Sequence, residues 1–324
     1  MASEVTDPVV DLLDQRLISA LQCDGRITAE RAADILGVPS RVVARTWSAL
    51  LGDGTIRVIA ARPRPKANGV MLLRIRVLRG KIEAVARALA ERDDIPMIDI
   101  SAGGDQLTAV LLATPNDRNR LVFKQLPATS AVTSVEAETI VHVFSDAGDW
   151  KLDVLSPDER RRLTPALSAE PRTQSRTIID IDDTDRAIID ALSTDARTSS
   201  SALSRTIGFP ESTVRRRVSA LFDEGLLHTR VIVDPHRLGL HVDANVRMRV
   251  APAHLDETGR RLAAHPAVHG ALATTGAGNL YIAVWLRDLD HFYEFITRDL
   301  AALKVDNIDT ILVGQDFKRS HPGW

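Results

Sequence analysis

Gly208-Phe209-Pro210-Glu211-Ser212-Thr213-Val214-Arg215-Arg216-Arg217-Val218 decides the fold, because its glycine and proline separate two apolar patterns of helical spacing. Upstream, Ile188, Ile189 and Leu192 form one set and Leu203 and Ile207 a second; downstream, Val214, Val218, Leu221 and Phe222 form a third. Glycine can end one helix in a left-handed conformation, and proline can begin the next with its φ already set. Three short amphipathic helices are expected, with a tight corner between the second and third. That is the helix-turn-helix pattern, whose last helix can be laid in a DNA major groove.

The pattern is written twice. Residues 14–57 lie without a gap on residues 185–228, an offset of 171: Asp14 on Asp185, Ile18 on Ile189, Leu21 on Leu192, Arg26 on Arg197, Gly37 on Gly208, Pro39 on Pro210, Arg45 on Arg216 and Gly54 on Gly225. Beyond them an offset of 173 takes over, with Arg74 and Arg76 meeting Arg247 and Arg249, Gly103 meeting Gly276, and Phe144 meeting Phe317. Each half therefore holds the same two modules in the same order.

With Val214, Val218, Leu221 and Phe222 turned inward, the third helix of the second copy presents Ser212, Arg215, Arg216 and Ser219; in the first copy Val43, Trp47, Leu50 and Leu51 turn inward and Ser40, Arg41, Ala44, Arg45 and Ser48 face out. Arginine can clamp guanine or phosphate with two parallel hydrogen bonds, and short hydroxyls can approach base edges or phosphate closely. The helical spacing of Trp47 with Val43 and Leu50 makes it a core residue rather than a base-stacking one. After each third helix, Gly54-Thr55-Ile56-Arg57-Val58-Ile59 and Gly225-Leu226-Leu227-His228-Thr229-Arg230-Val231 read as a helix stop and a short β wing, offering Arg57 and Arg230 to phosphate. Arg62, Arg64 and Lys66 extend the basic surface or form a solvated linker.

In the second module, Val242, Ala244, Val246, Met248 and Val250 alternate with Asp243, Asn245, Arg247 and Arg249, the mark of a half-buried strand. A helix is expected at about 255–264, strands near 269–275 and 280–286, a helix at about 289–303 and a strand at 307–313. The first copy gives 72–78, 82–90, 97–101, 107–113, 118–126 and 135–143 in the same order, β-α-β-β-α-β. A ferredoxin-like sheet with helices on one face leaves its other face open, so we expect sheet-to-sheet pairing, between the two halves or between chains. The loops between the middle strands are rich in glycine. Gly103, Gly104 and Asp105, and Gly276, Gly278 and Asn279, either supply the positive φ of a hairpin or let a ligand approach backbone N–H groups.

The fold class is thus α+β: two copies of a winged helix-turn-helix module, each followed by a ferredoxin-like βαββαβ module. The expected boundaries are 9–62, 68–155, 181–235 and 239–324, with 156–180 as a polar, proline-punctuated linker. This order resembles the Lrp/AsnC family of feast/famine transcriptional regulators in a tandem form. The likeness is densest over 185–227, from Asp185 and Ile188 through Asp195-Ala196-Arg197 to the stretch quoted above, with Leu221, Gly225 and Leu227. In the first copy Val42 and Thr46 stand where the second has Thr213 and Arg217. The resemblance implies a regulator of double-stranded DNA whose carboxy-terminal modules assemble into a homo-oligomer and sense an amino acid or related small metabolite near the inter-strand loops. The family's aspartate at the end of that loop is an amide here, Gln106 and Asn279, which lacks the charge that pairs with an ammonium group.

Composition narrows the rest. The chain has 324 residues, 44% hydrophobic and 26% charged, with 41 Lys and Arg against 43 Asp and Glu, a net charge of -2, so nucleic-acid binding must come from local patches. The third helices are such patches, Arg41 and Arg45 before Asp53, and Arg215, Arg216 and Arg217 against Glu211. No apolar run approaches a membrane span, no secretory leader is visible and Cys23 is the only cysteine; a cytoplasmic protein with no membrane partner, disulfide, metal site or cofactor is expected. Fused siroheme decarboxylases resemble the same family and share the tandem architecture, so a decarboxylase-like enzyme is the alternative. Those enzymes place histidines beside the substrate, whereas the hairpin strands here carry none. His265 and His269, separated by Pro266, read as turn and surface residues, leaving no candidate catalytic residue.

Overall fold

The computed structural model describes residues 10–63, 69–112, 120–164 and 181–319. Arg64, Lys66, the strand end at 113, the helix start at 118 and the linker over 165–180 lie outside the described residues. The described chain divides into two compact units, one built from residues 10–63 and 151–238, the other from 69–150 and 239–319.

The first unit holds both helical modules. Helices α1 (Leu12–Cys23), α2 (Ala29–Leu36) and α3 (Ser40–Gly52) form one, and α6 (Asp183–Thr194), α7 (Ser200–Ile207) and α8 (Glu211–Asp223) the other. Asp11, Thr28, Asp182 and Ser199 cap α1, α2, α6 and α7 by accepting a backbone N–H of the first turn. Gly37 and Gly208, with φ of 70° and 75°, end α2 and α7 in the left-handed conformation, and Pro39 and Pro210 precede the next helix. The inward sets are buried as their spacing requires: Val43, Trp47 and Leu50 in α3, Val214, Val218 and Leu221 in α8.

Three expectations are corrected in this unit. The strands after the third helices, β1 (Ile56–Ala61) and β6 (His228–Val233), do not make a wing in each module; they pair antiparallel with each other, from Ile56 opposite Val233 to Ala61 opposite His228. Each strand is six residues long, β1 mostly and β6 half buried, and the backbone hydrogen bonds that a wing would make within its module are made with the other copy. The expected linker begins instead with a helix, α5 (Pro157–Leu163), closed by a reciprocal capping box between Ser156 and Glu159 and anchored by the fully buried Leu163. Residues 151–155, expected in the first β module, also join this unit, where Leu152 accepts from Ser19 Oγ at 3.5 Å and donates to Gln22 Oε1 at 2.9 Å.

The second unit shows the expected order twice. In the first half it runs β2 (Met71–Val77), α4 (Ile82–Ala90), β3 (Met97–Ser101), β4 (Gln106–Leu111), helical turns Leu121–Gln125 and Leu126–Ala128, and β5 (Val132–Ser145). In the second it runs β7 (Val242–Val250), α9 (Leu255–Ala263), β8 (Val268–Thr274), β9 (Leu280–Leu286), α10 (Leu289–Glu294) continued by the wider turn Phe295–Leu300, and β10 (Val305–Arg319). The strands close into a barrel in the order β10-β3-β4-β2-β5-β8-β9-β7. The open face of each sheet is covered by the other half of the same chain, through Val70, Leu72, Val110, Ile140, Leu272, Tyr281 and Ala283 inside the barrel.

Strands β5 and β10 are longer than their local pattern suggests because each serves two sheets. β5 pairs with β2 in its own half and then with β8; β10 pairs with β7 and then with β3. The far ends carry Phe144 into the helix-side core of the second half and Phe317 into that of the first. Phe144 needs the bare backbone of Gly259 in α9, where a Cβ would stand 2.2 Å from its ring.

Gly259→Ala should therefore destabilise the protein by roughly 1–3 kcal/mol through overpacking. Phe144→Leu added to it should recover part of that loss, and chemical denaturation of the single and double variants reads the coupling; additive losses would show that the ring does not seat on Gly259.

Candidate nucleic-acid interface and effector loops

The third helices present the expected faces. Ser40, Arg41, Ala44, Arg45 and Ser48 on α3, and Ser212, Arg215, Arg216 and Ser219 on α8, are all exposed. Among the described residues, no hydrogen bond or ion pair engages the guanidinium groups of Arg41, Arg45, Arg215 or Arg216. The helices that precede them are capped by Thr28 and Ser199, whereas α3 and α8 start at prolines with no side-chain cap. No side chain of the preceding residue therefore competes for the first-turn N–H groups of either helix, although Val42 N donates to Pro39 O at 2.9 Å and α8 begins with Glu211.

Arg217 is different in kind. It turns back to α6, where it pairs with Asp182 at 2.8 Å and Asp185 at 2.9 Å. The hydrogen bond and charge of Asp185 hold its guanidinium above the ordinary range. In the first copy Thr46 stands at this position, and the matching Asp14 is raised by burial and by the charge of Asp11. Trp47 is buried as expected and donates from Nε1 to the Leu17 carbonyl at 3.0 Å. Arg57 is exposed. The phosphate contact expected of Arg230 is corrected: its side chain is buried, and Nε donates to His228 Nε2 at 2.9 Å. It shares a face of the β1–β6 ladder with Ile59 and the exposed Arg57, opposite the face of Val231 and Val233, and is covered there rather than left open.

A pair of residues that sequence reading aligned without assigning a role ties the two helical modules together. Arg26 donates to the carbonyl of Ala196 and lies 5.4 Å above the ring of Phe222; Arg197 donates to the carbonyls of Gly25 at 2.8 Å and Ile27 at 3.2 Å and lies 5.1 Å above Trp47. Burial pulls both guanidinium groups below their ordinary range. Ala196 N donates to Val58 O at 2.8 Å, and Gly25 N to Thr229 Oγ1 at 3.1 Å. The contact is reciprocal, each arginine clasping the turn of the other copy. The only signal in the sequence was the shared position of Arg26 and Arg197 after Asp24 and Asp195.

The inter-strand loops also bond across the halves: Ala102 N donates to Leu312 O at 2.8 Å and Thr275 N to Thr139 O at 2.9 Å. In the first loop Gly103 and Asp105 are exposed and Gly104 is half-buried with φ of 67°, while Asp105 accepts from Ser101 Oγ at 3.2 Å. In the second, a Cβ on Gly276 would stand 2.6 Å from Glu138 Oε1 and one on Gly278 2.4 Å from Arg247 Cγ. Those glycines make room for a charged cluster inside the barrel. Asn279, expected to hold a ligand's polar head, instead spends one acceptor and one donor on the backbone of Val250, accepting from its N and donating to its O, both at 2.8 Å. His269 is corrected as well. It is a buried residue of β8, stacked 3.9 Å from Trp285 with Nε2 3.5 Å from Asp243. The strand begins one residue earlier than expected and places the ring among other side chains.

Comparison with known proteins finds two family matches, both in the second half: an AsnC-type helix-turn-helix domain over residues 181–221 and an Lrp/AsnC ligand binding domain over 243–322. An uncharacterised HTH-type transcriptional regulator of Pyrococcus horikoshii is 34% identical over 131 residues, covering 40% of this chain and 82% of that protein. The HTH-type transcriptional regulator LrpA of the same organism is 26% identical over 132 residues, covering 40% of this chain and 92% of its own. Among solved structures, the siroheme decarboxylase NirDL, in complex with an iron-uroporphyrin III analogue, covers 97% of this chain and 94% of its own at a TM-score of 0.61 and 14% identity, a likeness of fold.

Replacing Arg217 by alanine should lower the melting temperature while leaving the salt dependence of any DNA binding unchanged, because its charge is spent on Asp182 and Asp185. Melting by circular dichroism together with fluorescence titration at several salt concentrations checks both parts.

Proposed function

We propose, for a chain that belongs to the Lrp/AsnC family of DNA-binding, helix-turn-helix transcriptional regulators, that its two helical modules act as a tied but unequal pair of readers on one asymmetric operator. In this reading α3 and α8 enter successive major grooves of double-stranded DNA, about one helical turn apart. Ser40, Arg41, Arg45 and Ser48 serve one half-site, Ser212, Arg215, Arg216 and Ser219 the other, and Arg57 reaches phosphate. The observation that carries the reading is the set of four unpaired arginines, displayed at uncapped helix starts on two modules clasped through Arg26 and Arg197. In a chain of net charge -2, guanidinium groups left without partners on one helix face are the local field that a phosphate backbone requires.

The barrel unit, in this reading, carries a site for an amino acid or related small metabolite beside Gly103, Gly104 and Asp105, and contributes to assembly of a homo-oligomer. An effector there would change DNA affinity only if it binds free and DNA-bound protein unequally. The decarboxylase alternative rests on the whole-chain likeness of fold to NirDL and on the buried His269 beside Asp243. Loss of a carboxyl group from siroheme incubated with the purified protein would support that alternative.

Selection from randomised duplexes should return two unlike half-sites per chain, and a perfect palindrome within one chain's footprint would contradict the proposal. Arg216→Ala should weaken binding; if the group touches phosphate, the slope of log affinity against log salt falls by about 1, and if it touches a base, selectivity relaxes at one position. Unchanged binding at low salt would remove Arg216 from the interface.

A further inference from the structure

Because the two halves of the barrel are related by a constant offset, every residue inside it has a counterpart, and each counterpart pair shows whether like halves could replace unlike ones. One charged cluster, with covered arginines and exposed acids, is nearly symmetric. Arg74 and Arg247 are counterparts, as are Glu136 and Asp309, and each arginine reaches both acids: Arg74 to Asp309 at 2.8 Å and Glu136 at 3.5 Å, Arg247 to Glu136 at 2.9 Å and Asp309 at 3.4 Å. Two copies of either half would reproduce those four contacts, although the buried Glu138 that also accepts from Arg247 at 2.8 Å has Ile311 as its counterpart. The cluster around Asp99 would not be reproduced. This carboxylate is 5% exposed on β3 and takes its partners from the other half, an ion pair from Arg319 of β10 and a hydrogen bond from Asn245 Nδ2 of β7 at 3.4 Å. The counterparts of Asp99, Asn245 and Arg319 are Leu272, Leu72 and Asp146.

Two first halves brought together would set each buried Asp99 against Leu72 and Asp146, a carboxylate without a donor and beside a second acid. Two second halves would set the buried Asn245 against Leu272, while Arg319, 39% exposed, would keep only Asp243 of its own half at 4.0 Å. A buried charge or amide left without its partner strongly disfavours the pairing that leaves it so. We propose that Asp99, Asn245 and Arg319 form a pairing code by which the first half's sheet selects a half that supplies the matching charge and amide, so that any half lacking them, a like half from a second copy of this chain included, is disfavoured. The effect is specificity by exclusion, which keeps two unlike modules together whatever other copies are present.

The proposal is tested with pairs of full-length chains in which the code is reversed, all carrying Cys23→Ser. One chain carries Asp99→Arg and Val143→Cys, the other Arg319→Asp and Leu272→Cys; positions 143 and 272 face each other across the β5–β8 seam. Each chain alone opposes like charges, whereas pairing across chains matches both. Co-expression followed by oxidation should give an interchain disulfide at least about tenfold more abundant than the same cysteines give without charge reversal, the ratio that ~1.4 kcal/mol of pairing preference produces. A chain carrying both cysteines and no reversal should form the bond within itself, which establishes the geometry. Since arginine is bulkier than aspartate, Asp99→Lys with Arg319→Glu provides a second matched set. Equal cross-linking without the reversals, or none with either set, including failure of the co-expressed pairs to fold, would overturn the pairing code.

Discussion

A four-stranded sheet with helices on one side must bury its other side, and in this protein the burial is achieved by a second sheet from the same chain. The two long strands β5 and β10 do most of the joining. Each leaves its own sheet, continues along an edge of the other, and inserts a phenylalanine, Phe144 or Phe317, under the opposite helices. The helix-side core of each half is therefore completed by the other, and truncating a buried ring of this kind typically costs about 3–5 kcal/mol. Such an arrangement has no free sheet edge on which a stray strand could add.

The helical unit uses a different device for the same end. Its modules are joined by a two-stranded ladder, whose buried Ile56, Val58, Val231 and Val233 pack into the unit, and by two arginines that each reach the turn of the opposite copy. A guanidinium is suited to this because it donates in several directions and stacks on an aromatic face at once. Arg26 over Phe222 and Arg197 over Trp47 do both. Trp47 is thereby engaged twice, by Leu17 through its N–H and by Arg197 on its ring, and is unavailable to a base.

Much of this was legible in the sequence, and the part that was not has a common cause. Helical spacing, the glycine-proline corners and strand alternation report local structure, so the helices and the β-α-β-β-α-β order followed from them, with β3 and β9 at the observed limits. Non-local pairing is invisible to such patterns. The strands after Gly54 and Gly225 looked like wings because nothing near them in sequence shows that each finds its partner in the other copy. The ends of β5 and β10 lie beyond the expected strands for the same reason, since residues such as Ser145 and Gln315 are paired to the opposite half. For side chains the limit is similar. The exposure of Arg45 and Arg216 follows from helix geometry alone, while the burial of Arg230, the two hydrogen bonds between Asn279 and Val250 and the stacking of His269 on Trp285 depend on neighbours far away in sequence.

Fusing two copies into one chain also removes a constraint that a dimer of identical subunits must obey. In a two-fold dimer every contact occurs twice, so a residue that suits one environment has to suit its symmetry mate's as well. Here the mates diverge. Asp99 meets Arg319 and Asn245, while at the related place Leu272 and Leu72 both lie in the apolar cluster inside the barrel. Arg217 locks the second helical module to two aspartates, while Thr46 leaves the first without that lock. Contacts that centre on the pseudo-symmetric relation itself, Arg74 with Arg247 and Arg26 with Arg197, keep the same chemistry on both sides because each still faces its own counterpart's surroundings. Divergence away from that centre is tolerated energetically, and it is what allows the reading faces of α3 and α8 to differ.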